Sequence, residues 1–235
     1  MLHYIKKIPN TNPVIVHSDL LLFGKKILTK KNKLKELLLS HFKNGIFIPS
    51  FYLGKKKIIR FDKSEHTMGL LTKIFIIDKK IKRTLNPIHS YLYGNIKLNP
   101  KMCMNSSFGH KSLFEYFYQK NMIWINLGAE NNAGFTIFHH AEDICNVRYR
   151  KRVFFTRKIF YKKKIQIKFF YFARKKEIKY DFDKVVKIMI KKQILKEITL
   201  KNKYKITYGE SAKIIDFLIL KITKNENFLL KKKYK

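Results

Sequence analysis

KSLFEYFYQKN, residues 111–121, runs directly into MIWINLG, residues 122–128, and this junction decides the fold class. Apolar residues recur at helical spacing in the first segment, and the second is an apolar run interrupted by Asn126 and closed by a glycine. The pair reads as a helix followed by a buried strand. The same alternation extends outward. PVIVH (13–17) is a short β-branched strand feeding a loop, LKELLLSHF (34–42) a helix stopped by Asn44-Gly45, and GIFIPSF (45–51) a second strand. KIIRFD (57–62) is a third strand or an edge segment, and MGLLTKIFII (68–77) is taken as a helix. RTLNPIHSYLYG (83–94) opens as a loop and becomes a strand. Strands alternating with helices give an α/β protein, a mixed β-sheet with helices packed on both faces.

After residue 150 the texture changes. VFFTRKIFYKKKIQIKFFYFARKKEIKY (153–180) alternates basic with apolar residues, as strands of a hairpin with one wet face do. Asp181 to Leu200 reads as a helix capped by Asp181 or Asp183, Ser211 to Ile222 as another, and the KKKYK tail as frayed. No Gly/Ser/Pro linker or internal repeat divides the chain. We therefore expect one domain over 1–235, with the chemistry-bearing part at 14–152 and a basic strand and helix part at 153–230.

Lysine and arginine number 52 against 16 acids, a formal charge of +36. Such a charge is the usual footprint of a nucleic-acid binder, and the Lys/aromatic stretch 161–176 would be its platform. The composition has a blander source. Only seven of the 52 are arginine, and Lys, Ile, Asn, Phe and Tyr share codons rich in A and T. Codon drift would coat any fold with lysine, so a nucleic-acid partner is not expected. Arginine becomes the informative cation, because a planar fork is not replaceable by an ammonium. Arg148, Arg150, Arg152 and Arg157 cluster. No apolar run reaches the roughly 18 residues of a membrane span, and MLHYIKKIPNTNP lacks a signal-peptide core. A cytoplasmic setting without a membrane partner is expected. Cys103 and Cys145 have no metal-ligand spacing and read as inert core thiols.

FTIFHHAED (135–143) sets two histidines and two acids in a patch without lysine. On a helix, residues three apart share a face, so His139 pairs with Glu142 and His140 with Asp143. Either dyad could make a general base, the carboxylate fixing the tautomer and raising the basicity of the imidazole. Spacing alone does not choose between them. A zinc site has no complete ligand set here, and no metal is expected.

Seven stretches stand in order: IVHSDLLLFG (15–24), GIFIPSF (45–51), FDKSEHTMGLL (61–71), KRTLNPIHS (82–90), FGHKSLFEYF (108–117), INLGAENNAGFTIFHHAED (125–143) and VRYRK (147–151). Their order and spacing over 14–152 resemble the aminoglycoside 3-N-acetyltransferase (antibiotic acetyltransferase) family, in particular relatives found with surface-polysaccharide genes. The family pattern includes Met-Pro-Thr-Phe, Arg-Ser-x-His-Pro-x-x-Ser, Thr-x-x-His-x-x-Glu and a Val-Pro-Tyr-Arg segment.

The resemblance implies acetyl transfer from acetyl-CoA to an amine. It selects His139 as general base with Glu142 as its orienting partner, since Thr136, His139 and Glu142 fall on Thr-x-x-His-x-x-Glu; His140 and Asp143 become structural. It places His17, Ser18, Arg83, Thr84 and Ser90 on the acetyl-CoA side, and Thr136, Asn86, Arg148 and Arg150 on the acceptor side. Asn86 stands where many members carry His, Ser50 replaces Thr, Lys73 lies near a usual Glu, and Arg148 replaces Pro. These departures bear on the acceptor. A basic surface suits an anionic, nucleotide-linked amino sugar, with Arg148 and Arg150 on its diphosphate. An aminoglycoside, as in antibiotic resistance, is the alternative, and a Lys/aromatic nucleic-acid binder without catalysis a more distant one.

Overall fold

The computed structural model describes residues 2–23, 29–56, 58–61, 65–200 and 204–234. Seven strands form one mixed sheet: β1 (Val14–Ser18), β2 (Ile46–Pro49), β4 (Lys82–Arg83), β5 (Tyr91–Gly94), β6 (Ile123–Leu127), β9 (Lys196–Thr199) and β10 (Lys205–Glu210), in the order β4-β5-β2-β1-β6-β10-β9. β1 runs parallel to both neighbours, and every other pairing is antiparallel.

Period-two alternation sends Ile15, Phe47 and Trp124 to one face and Val14, Val16, Ile46 and Ile48 to the other. The first face is covered by α4 (Leu113–Gln119), α6 (Phe138–Ile144), α7 (Phe182–Lys191) and α8 (Ser211–Lys224); α1 (Leu2–Ile5), α2 (Lys31–His41) and α3 (Leu70–Ile76) cover the second. Helices thus pack on both faces. A short α5 (Asn131–Gly134) lies between β6 and α6. The junction at 111–128 resolves as expected. Ser112 caps α4 by accepting from the Glu115 N–H, and β6 is buried along its length at the sheet centre.

β3 (Ile58–Arg60), β7 (Arg150–Tyr161) and β8 (Lys163–Arg174) make a second, three-stranded sheet, in which β7 and β8 pair over twelve residues each. Ile58–Arg60, within the KIIRFD stretch, is therefore the edge strand of the hairpin sheet. Among the described residues no helix is long and apolar enough to cross a membrane.

Three expectations are corrected. The helix from Asp181 does not reach Leu200. It ends at Lys191, Gln193 turns into the left-handed region at φ 58°, and 196–199 becomes the sheet's edge strand on β10. Asp181 is the cap, accepting from Lys184 N–H. His140 and Asp143, expected to pair with each other, do not: His140 accepts from Gly109 N–H and Asp143 pairs with Arg152. The tail is docked rather than frayed: Lys231 N–H donates to Lys179 O, and Tyr234 packs beneath the Lys175 ammonium and edge-on to Tyr149. Asp62 and Gly24, both in the quoted motifs, lie outside the described residues.

Candidate active site

α6 carries both histidines and both acids, and its turn separates them as the spacing predicted. His139 and Glu142 share one face: His139 Nδ1 is 2.7 Å from Glu142 Oε2. The Glu142 side chain is fully buried while 17% of the His139 side chain stays accessible. Arg150, at the start of β7, is buried beside them with Nε 3.0 Å from the same carboxylate oxygen. Tyr180 closes the group. Its hydroxyl accepts from Arg150 Nε at 2.9 Å and donates to Glu142 Oε2 at 3.3 Å.

Burial by itself would raise the Glu142 pKa. The charge of Arg150 first, then His139, reverses that and holds the carboxyl below its ordinary value. Burial, and then Arg150, lower the His139 imidazole to about 4 against the opposing pull of Glu142. At neutral pH the site holds an ionised Glu142 and a neutral His139. An ionised carboxylate only accepts, so Nδ1 carries the proton and Nε2 is the basic nitrogen. Among the described residues no hydrogen bond occupies Nε2. His139 lines a cavity of about 250 Å³ with Asn132, Arg150, Tyr171, Arg174 and Tyr180.

His140 and Asp143 do different work. His140 Nδ1 accepts from Gly109 N–H at 3.1 Å. Asp143 pairs with Arg152 at 2.8 Å. Gly109 sits at φ +69°, and a Cβ there would lie 2.8 Å from the Asp143 carboxyl carbon. His140 and Asp143 thus each meet Gly109 of the FGHK segment instead of one another, and form a structural lock between α4 and α6.

Of the residues expected on the cosubstrate side, His17 and Ser18 stand at the end of β1. His17 is buried, stacked 4.6 Å from Trp124, and held by burial at about 3. Both line a small cavity of about 60 Å³ with Met68, Gly69, Ala129 and Ala133. Arg83 lies flat on the Phe61 ring at 3.5 Å; Nη2 donates to Ser50 O at 2.7 Å and Nε to Ser90 Oγ at 3.2 Å. Among the described residues its Nη1 is buried without a partner. Ser90 donates to Ser50 O and Thr84 Oγ1 accepts from Tyr91 N–H, so both hydroxyls brace the 83–91 turn.

The acceptor-side residues are not brought together. Arg150 reaches the cavity but is committed to Glu142, Tyr180 and the Phe172 carbonyl. Arg148 is on the surface, 76% exposed and paired with Glu226. Asn86 accepts from Ile88 and His89 N–H and donates to Ser106 O, which shapes the turn. Thr136 is buried before α6, its carbonyl accepting from His139 N–H.

Sequence reasoning missed Tyr180 and Arg174, which lie in no motif and come to α6 only through the hairpin, and Asn132, which lies within the 125–143 stretch but was not singled out. It also passed over His89, which is buried among Phe51, Phe108 and Tyr171. Asn132 joins the His139 cavity to a larger one of about 620 Å³, whose lining includes Glu130, Asp183 and Glu197. Among the described residues no group of His, Cys, Asp or Glu is placed to hold a metal ion.

The sequence model of the family described as aminoglycoside 3-N-acetyltransferase matches residues 15–221. Among solved structures, aminoglycoside acetyltransferase AAC(3)-Xa superposes with a TM-score of 0.77 at 14% identity, covering 98% of this chain and 93% of that one. The AAC-IIIb binary complex with CoASH gives 0.73 at 12%, covering 95% and 92%. The YokD protein from Bacillus subtilis gives 0.74 at 16%, covering 96% and 92%. At these identities the likeness establishes the fold. No match is found among the curated proteins.

Proposed function

The chain belongs to the aminoglycoside 3-N-acetyltransferase family and is an N-acetyltransferase, and from that premise we propose that it moves the acetyl group of acetyl-CoA to the amine of an amino sugar, with His139 as general base and Glu142 as its orienting partner. The observation that carries this reading is the buried 2.7 Å contact between Glu142 and His139 Nδ1, which leaves Nε2 as the basic atom of a ring that lines a cavity.

A sugar ammonium is not a nucleophile until it loses a proton. His139 Nε2 accepts that proton, directly or through water, and the imidazolium formed is stabilised by Glu142. The freed amine attacks the thioester carbonyl, and the C–S bond breaks. His139 then returns its proton to the departing sulfur while the acylated nitrogen loses its second proton to water, leaving the amide and the free thiol. Acetyl-CoA supplies the activated acyl group. The residues at the strand ends fit it: the orphaned Nη1 of Arg83 is a donor for a carbonyl or phosphate oxygen, and the pocket at His17 and Ser18 is lined by small residues. Reading AAC-IIIb with CoASH beside this chain supports the same cosubstrate.

The nucleotide-linked acceptor now draws its support from Arg174, whose guanidinium lines the His139 cavity and stacks over Tyr180. One observation favours a polycationic acceptor such as an aminoglycoside. In a chain with 16 acids, Glu130, Asp183 and Glu197 gather around the adjoining 620 Å³ cavity, and like solved relatives are seen with sisomicin. Thiol release from acetyl-CoA, measured with a panel of amino-sugar nucleotides and aminoglycosides at about 0.15 M salt, tests both. Release with an acceptor establishes the transfer and its identity separates the two readings; no release with any acceptor and no acetyl-CoA binding overturns both.

A further inference from the structure

Arg150 was expected to meet a substrate phosphate, yet its Nε and Nη1 are both turned inward. Nε contacts Glu142 at 3.0 Å and Tyr180 OH at 2.9 Å, and Nη1 donates to the Phe172 carbonyl at 2.6 Å. Only 3% of its side chain is accessible. An arginine held on three partners in a protein interior is not a free anion receptor. It is a charge placed at a fixed point, beside the same Glu142 oxygen, Oε2, that holds His139.

Removing it would leave a buried carboxylate without a cation against it, held by His139 and by the longer 3.3 Å hydrogen bond from Tyr180. We propose that Arg150, braced by Tyr180 and the Phe172 carbonyl, is the positioning residue of the dyad: it fixes the Glu142 carboxylate against His139 and acts on the reaction only through that contact. The inference rests on the His139/Glu142 reading and adds two residues, one on the hairpin and one in the 175–181 connection, to the machinery.

The groups that face the dyad are Tyr149 just before β7, Arg150 on β7, Arg174 on β8, Tyr180, and His89 from the 83–91 turn. Arg150 is the nearest cation, and its charge opposes proton uptake by the pair. Without it the dyad, titrating as a unit, takes up its inactivating proton at higher pH. The acid limb of kcat therefore moves upward by about one pH unit, a tenfold change in proton affinity.

The test measures thiol release against pH for the full chain and for Arg150→Met, Arg150→Lys, Tyr180→Phe, Glu142→Gln and the Glu142→Gln/Arg150→Met double variant. Arg150→Met should lower kcat about tenfold or more, shift the acid limb upward, and leave both KM values within about twofold. Arg150→Lys and Tyr180→Phe should move the limb in the same direction by less. In the Glu142→Gln background the arginine change should add less than about a twofold loss. If Arg150→Met does not fold, the double variant, which has no buried charge left alone, still supplies that comparison. A raised acceptor or acetyl-CoA KM with kcat retained would make Arg150 a substrate-binding residue and overturn the proposal, as would a full additional loss in the double variant. His139→Ala separates the two failures: retained turnover there removes the dyad itself, whatever Arg150 does.

Discussion

Lowering the pH from 7 to 5 should destabilise the fold by about 7 kcal/mol, because four histidines are buried in a form that cannot accept a proton cheaply. His17 is held by burial at about 3 and stacks on Trp124. His139 and His140 are held at about 4, burial leading in both cases. Burial holds His89 well below the ordinary value among Phe51, Phe108 and Tyr171. For His140 the geometry is explicit, since Nδ1 accepts from Gly109 N–H and protonation would set two donors face to face. Each folded-state pKa lies below the unfolded value of about 6.5, so the unfolded chain binds more protons in between, and stability falls as pH falls through that window. At pH 5 the unfolded histidine is almost fully protonated and the folded one almost fully neutral. Each group then costs about 2 kcal/mol, with His139 contributing somewhat less through its accessible edge. Urea unfolding at half-unit pH steps measures this directly. Near pH 5.5 the slope of unfolding free energy against pH should correspond to about three to four protons, and His140→Asn should reduce it by about one. A loss under about 2 kcal/mol over the whole interval would mean that these rings are hydrated or mobile, and would refute the burial argument.

His139→Ala should abolish transfer while leaving acetyl-CoA binding largely intact; His140→Ala, corrected for the fraction folded, should retain turnover, and equal loss in both would overturn the choice of dyad. Glu142→Gln should lower kcat more than it raises KM for acetyl-CoA, since Glu142 meets only the base; the reverse pattern would make it a binding residue. Gly109→Ala places a Cβ against Asp143 at a left-handed φ and should cost about 2–3 kcal/mol in unfolding free energy. A loss of less than about 0.5 kcal/mol would show that the lock between α4 and α6 yields without strain.

What could be read from the chain follows a physical boundary. Helices and strands with strong local periodicity, such as 111–128 and the 150–174 hairpin, were legible because each buries its own pattern. The separation of His139/Glu142 from His140/Asp143 was also legible, being fixed by helical geometry within four residues. Where a decision depended on a distant partner, the sequence was silent or misleading. KEIT at 196–199 continues a helical pattern but is drawn into the sheet by the antiparallel edge of β10. The tail is basic enough to look solvated, yet it docks on Lys179 and Lys175. Tyr180 and Arg174 reach the dyad only because a hairpin in register over twelve pairs returns the chain to α6. No local signal encodes that return.

The arginines show how composition can be turned into structure. If lysine is the default cation of this chain, each remaining guanidinium should have a task that an ammonium performs poorly. The seven satisfy this one by one. Arg60 and Arg83 lie over Phe160 and Phe61. Arg148, Arg150 and Arg152 pair with Glu226, Glu142 and Asp143. Arg157 donates to the Gly54 carbonyl, and Arg174 faces Tyr180. Five of these tasks are internal to the fold, which is why clustering near residue 150 pointed to the site without pointing to the substrate. Arg174 differs in standing at the His139 cavity as well as over Tyr180. A buried N–H without a partner does not single out Arg83, because Arg157 keeps one too. Under the proposed function, Arg83 and Arg174 are the two guanidinium groups to substitute first when anionic groups of cosubstrate and acceptor are tested.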